Sequence, residues 1–112
     1  MTYERLYKCS ATIFFDGNRK EMGLISYNTR IFTINLNSKN GFAVMWLYPS
    51  ITSKKHIRKF GEWCCKNCFG YTAEAVRYMY KWGITRNAHF VYYDLQTGEA
   101  KEITKDKALS LL

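Results

Sequence analysis

Proline is almost missing from this chain of 112 residues: Pro49 is the single one, and no Pro-, Ser- or Gly-rich tract marks a linker. With no internal repeat either, the sequence is expected to form one domain over residues 1–112, long enough for one core and too short for two. Long apolar runs are missing as well. The longest, Phe42 to Tyr48, falls far short of the roughly 20 residues that a membrane-spanning helix needs. The opening Met1-Thr2-Tyr3-Glu4-Arg5 has no apolar signal region, so the expectation is a cytoplasmic protein that does not engage a membrane.

Carboxylates are scarce: Glu4, Asp16, Glu21, Glu62, Glu74, Asp94, Glu99, Glu102 and Asp106 are all there are, and no pair has a spacing suited to general acid–base or two-metal chemistry. The seven glycines fall at turns and helix ends, not in a phosphate-cradling loop, and no nucleophile elbow occurs. These absences point away from an enzyme and call for no cofactor. Cysteine is too sparse for a secreted disulfide framework, with three of the four crowded at Cys64, Cys65 and Cys68. The spacing of Cys65 and Cys68 would let two thiolates grip one tetrahedral metal ion, but Cys9, His56 and His89 are too scattered to complete the set. On a helix, Cys64 and Cys68 instead extend the apolar side begun by Ile57, where free thiols behave as small hydrophobes. Core packing is the main reading and no metal site is assigned; a structural zinc and redox chemistry are the alternatives.

What the chain has in quantity is aromatic rings and positive charge. Nine Tyr, seven Phe and three Trp make up 17% of it, enough apolar surface to offset the entropy of ordering the chain. Seventeen basic against nine acidic residues leave a net charge of +8, which favours phosphate backbones or acidic protein surfaces.

Turn residues divide the first half into strands: Leu6 to Phe15 up to Asp16-Gly17-Asn18, where Gly17 can take positive φ, then Met22 to Tyr27 and Arg30 to Leu36. Asn40-Gly41 is the strongest hairpin signal, followed by a central strand from Phe42 to Tyr48 that Pro49 ends. A first helix is expected from about Lys54 to Asn67, capped by Thr52 or Ser53 and stopped by Gly70. A second runs from a cap at Thr72 to Gly83. On it Ala73, Val76, Met79 and Tyr80 share a side, with Tyr78 and Trp82 roughly opposite. Either both sides are covered or an aromatic pair is exposed. Strands return over residues 89–95 and 99–103, and the tail from Lys105 forms a short helical turn. The order predicts an α+β fold, an antiparallel sheet of hairpins packed against two helices.

Two segments, Leu24-Ile25-Ser26-Tyr27-Asn28-Thr29-Arg30-Ile31 and Tyr48-Pro49-Ser50-Ile51-Thr52-Ser53-Lys54-Lys55-His56-Ile57-Arg58-Lys59-Phe60, resemble a small domain found in phages and mobile elements. Its pattern is a Ser-Tyr-x-Thr strand followed by a Ser-x-Thr-[Thr/Ser]-x-x-His-Ile helix start, and it has no assigned activity. The resemblance covers about residues 22–62. It implies a phage-type accessory protein that binds rather than catalyses; proteins of this class often block host defence complexes, CRISPR effectors among them.

Along the first helix, at about 100° per residue, Ile57, Gly61, Cys64 and Cys68 share one side while Lys55, Lys59 and Lys66 cluster opposite. Lys54, Lys55, Arg58, Lys59 and Lys66 therefore form one candidate binding cluster. Arg77, Lys81 and Trp82 of the second helix, with Arg86 from the loop after it, form another. The expected partner is a host defence protein or ribonucleoprotein, or nucleic acid itself, with oligomeric state open. His56 is expected to be structural, since neither an orienting partner nor a nucleophile is visible near it in sequence.

Overall fold

The computed structural model describes residues 1–6, 9–18, 20–37, 39–47, 51–67 and 69–112, with residues 51 and 52 described by their backbone alone. Seven strands, β1 (Thr2–Arg5), β2 (Ala11–Asp16), β3 (Glu21–Ser26), β4 (Thr29–Asn35), β5 (Phe42–Trp46), β6 (Phe90–Asp94) and β7 (Glu99–Glu102), form one sheet in chain order. Every neighbouring pair is antiparallel. Two helices, α1 (Ile51–Lys66) and α2 (Gly70–Arg86), come between β5 and β6, and α3 (Lys105–Leu111) follows β7. This is an α+β fold. No helix among the described residues is long and apolar enough to cross a membrane.

Alternation along the strands decides which side chains meet the helices. Ile13, Leu24, Phe32, Met45 and Val91 are successive cross-strand partners from β2 to β6, and all are fully buried. Onto this row α1 lays Ile57, Phe60 and Cys64, and α2 lays Ala73, Val76 and Met79. The rings of Phe32 and Phe60 sit 5.5 Å apart. Burying each large side chain is worth about 1.5–3 kcal/mol, so this layer supplies most of the core. The expected apolar side of α1 is thus buried at Ile57, Gly61 and Cys64, with Gly61 turned to Val76 of α2, while Cys68 lies outside the described residues.

The opposite side of the sheet is covered piecemeal. There α3 packs Ala108 over Val44 and Phe90, with its first turn capped by the Thr104 hydroxyl, which accepts from Lys107 N–H at 3.3 Å. Further along, Phe14 pairs with Gly23, whose missing Cβ leaves room for the Phe14 ring; a Cβ there would also strike the Phe32 carbonyl. The Arg30 guanidinium lies 4.2 Å from the centre of that ring.

Several boundaries move. The expected strand over residues 6–15 is broken by a turn in which Leu6 N–H donates to Ala11 O and Cys9 N–H to Leu6 O, so that β1 is a separate edge strand. In the β2–β3 turn Lys20, not Gly17, takes the left-handed conformation. Gly70 begins α2 instead of ending α1, and Thr72 is no cap: it is buried in the first turn, its hydroxyl 3.6 Å from the Met22 sulfur. Gly83 does not stop α2 either. A Cβ there would meet Leu47 and Val91, so glycine lets the helix settle onto the sheet, and the helix ends at left-handed Asn87. Ser53 falls inside the first turn of α1, while Pro49 and the Thr52 side chain lie outside the described residues.

Candidate interaction face and the clasp beneath it

The helical pair α1–α2 concentrates the charge. Between Ile51 and Arg86 stand eight basic and two acidic residues, so six of the eight net charges ride on a third of the chain; the rest holds nine basic against seven acidic. Lys55, Arg58, Lys59 and Lys66 are exposed on α1, and Lys54 is half-buried. On α2 Arg77, Lys81 and Arg86 are exposed. Lys66 stands in the last turn of α1, where its ammonium also complements the negative end of the helix dipole.

Three shallow depressions organise these side chains. One, of about 260 Å³ between α1 and α2, is lined by Arg58 and Arg77, with Glu62, Tyr80 and buried Ile57, Gly61 and Val76. A second, of about 290 Å³, is lined by Lys55, Arg58, Lys59 and Glu62. Arg58 belongs to both, so the structure joins Lys55, Arg58 and Lys59 to Arg77 across the helix pair. The third, of about 370 Å³, holds Lys81, Trp82 and Arg86 with Tyr78 and Thr85. Lys54 and Lys66 line none of the three.

Arg86 is not in a loop. It is the last residue of α2, one turn from Trp82 at i+4, and its guanidinium carbon lies 4.4 Å from the indole centre while Nη1 donates to Trp82 O at 3.3 Å. One face of the half-buried indole is therefore already occupied, which weakens Trp82 as a platform for stacking bases. Tyr78 leans on Tyr93 of β6 with ring centres 5.2 Å apart.

Beneath the lysine row, α1 is fastened to the sheet by hydroxyls and an imidazole. Ser26, at the end of β3, is 2.8 Å from His56 Nδ1 and 3.0 Å from Ser53 Oγ, and the three residues are at most 3% exposed. Burying such groups unbonded would cost free energy, and here each satisfies another. Burial, and secondarily the charge of Lys59, hold the His56 pKa below its ordinary value, keeping the imidazole neutral. The Tyr27 ring, carried on a positive-φ residue in the β3–β4 turn, lies 5.7 Å from it. None of the three depressions is lined by Ser26, Ser53 or His56. His56 thus fastens α1 to β3 through the Ser26 side chain.

Comparison of the chain with protein-family models, with curated proteins and with solved structures gives no match in any of the three.

Residues 24–31 and 53–60 meet in this clasp: Ser26 comes from the first stretch, Ser53 and His56 from the second. Cys64 is fully buried and burial pushes its thiol up to about 12, far from the thiolate that metal ligation or redox chemistry needs. Cys65 is exposed, and among the described residues no three His, Cys, Asp or Glu side chains gather around a common point. Tyr80 and Glu62 belong to the α1–α2 groove and Tyr93 to the α2 aromatic surface. Reading the helices one at a time overlooks these three, because each matters only through a neighbour on another element.

Proposed function

We propose that this is a non-enzymatic, phage-type binding protein that docks the basic face of α1 and α2 on a polyanionic partner, and that it acts as an inhibitor of a host defence nuclease in the manner of an anti-CRISPR. The observation that carries this reading is the gathering of Lys55, Arg58, Lys59 and Arg77 around two connected depressions. Cations crowded on one side raise the local potential, speed encounter with a polyanion and release its counterions on contact. A host ribonucleoprotein offers such a surface in its guide or target strand, or in an acidic protein patch. Ser26 and His56, the buried hydroxyl and imidazole, bond each other beneath α1 and line neither of these depressions, which supports binding over catalysis.

A second reading, a nucleic-acid-binding accessory protein without a defence role, draws on the basic and aromatic lining of the Lys81, Trp82 and Arg86 depression. A pull-down from host lysate with and without nuclease treatment separates the two. An effector retained after nuclease treatment supports inhibition through protein contacts. Retention lost with nuclease moves the assignment to the second reading, and affinity for bare nucleic acid should then fall steeply with salt. The double variant Lys55→Glu/Lys59→Glu is expected to lose binding under either; unchanged binding sinks both.

A further inference from the structure

We infer a second binding site, for an alkylated ammonium cation, in the depression formed by Tyr71, Tyr78 and Tyr93 with Glu74 beside them. It is separate from the basic face and carries the opposite electrostatic preference.

The sequence prepares it. Tyr71, Glu74, Ala75 and Tyr78 follow one another at i, i+3, i+4 and i+7, which puts all four on one strip of α2. The strip passes over β6, which contributes Tyr93. The rings of Tyr78 and Tyr93 stand 5.2 Å apart and inclined by 43°, so they diverge instead of closing flat on each other. Together these residues line about 310 Å³, with the small buried side chain of Ala75 among them. Tyr71 and Tyr78 are 58% and 46% exposed, so a good part of their ring surface is not used in the core and faces solvent.

The chemistry follows from the lining. Aromatic faces carry the negative part of the ring quadrupole, three phenols from two elements surround one space, and a carboxylate adds a full negative charge. Burial and the neighbouring Tyr71, Tyr78 and Glu74 raise the Tyr93 pKa, which keeps it a neutral phenol with its ring available. No lysine or arginine lines this depression, whereas those of the basic face all contain them. An anion meets Glu74 and is repelled. A bare ammonium is strongly hydrated and gains little in an open site. An ammonium carrying methyl groups loses less water, touches the rings with its methyls and keeps its charge, which is the match for this lining.

The same chemistry occurs in free choline-like molecules and in methylated lysine side chains. The test is therefore an NMR titration of the full chain with choline, and with a short peptide carrying trimethyl-lysine. The controls are 3,3-dimethylbutan-1-ol, the neutral carbon isostere of choline, and the unmodified peptide, whose bare lysine ammonium keeps the charge without the methyl groups. The expected result is shifts of the Ala75 and Tyr93 amides by a cation, with the isostere at least about fivefold weaker. Tighter binding of choline assigns a small molecule, and tighter binding of the methylated peptide assigns a protein side chain. Tyr71→Ala, at an exposed position, should weaken the cation about fivefold, and Tyr78→Phe should stay within about twofold. Glu74→Gln should weaken choline without altering the isostere, which distinguishes lost charge from lost shape. An isostere that binds as well as choline, or no shift with either cation in the tens of millimolar, overturns the site. Neither result bears on the basic face, because none of its cations is involved.

Discussion

Along α1, His56, Ile57, Phe60 and Cys64 turn toward the sheet and are buried, while Lys55, Arg58, Lys59 and Lys66, interleaved with them in sequence, turn outward. The inward set makes ring contacts, close packing and the Ser26 hydrogen bonds; of the outward set, Lys55, Arg58 and Lys59 line open depressions. Lys55 and His56 are adjacent, yet one lines a solvent-open hollow and the other is bound to a strand. What separates them is the helical period alone, so stability and binding should be alterable one at a time.

The largest effect should come from the inward side. Phe60→Ala removes a fully buried ring from against Phe32 and should cost about 3–5 kcal/mol in urea denaturation; a loss under about 1 kcal/mol would mean the helix is not held by this contact. Next, Ser26→Ala takes the Ser26 hydroxyl away from buried His56 Nδ1 and from Ser53 Oγ and should cost about 1–3 kcal/mol. In a double-mutant cycle with His56→Ala the two losses should add to less than their sum; full additivity would dissolve the clasp.

A smaller effect should appear with pH. The folded His56 pKa lies below the ordinary 6.5. As pH falls through that value the unfolded imidazole takes a proton that the folded one refuses, so stability declines until the folded pKa is passed. Denaturation midpoints from about pH 8 to 5 should therefore show a slope that His56→Gln lacks. The smallest effect on stability belongs to the outward side: Lys55→Glu/Lys59→Glu should shift it by no more than about 0.5 kcal/mol, even where binding is lost. A large loss of stability would break the comparison, since those lysines would then be part of the scaffold.

The sequence reveals what has a period. The two sides of α1 and the strands from Met22 onward follow from spacing, and the structure contains them; a hairpin does join β4 to β5, but residues 36–41 connect it and neither Asn40 nor Gly41 takes the positive φ of an Asn-Gly turn. Glycines are less legible. Gly70 and Gly83 read as helix stops from local rules, but one starts a helix and the other makes room for Leu47, and the second role depends on a residue 36 positions away. The same limit hides the clasp: Ser26 and His56 are 30 residues apart, and nothing local says that a hydroxyl at a strand end will meet that imidazole. Charge on the outer helix surface is visible as soon as the helix is, whereas the joining of Arg58 to Arg77, or of Tyr78 to Tyr93, requires knowing which elements are neighbours.

Because the strands lie in the sheet in their order along the chain, every pairing but one joins segments separated by a short turn. The exception is β5 with β6, where Trp46 pairs with Phe90 and the whole of α1 and α2 intervenes. Local contacts form early, and the entropy of closing a long loop must be met before its contacts reward it. The β1–β5 meander can thus assemble by successive local steps, whereas setting β6 beside β5 must first close the long loop that holds α1 and α2. In the folding order that this topology favours, the C-terminal hairpin is the last piece set in place, and α3, which sits on it, can do no more than lock a sheet already complete.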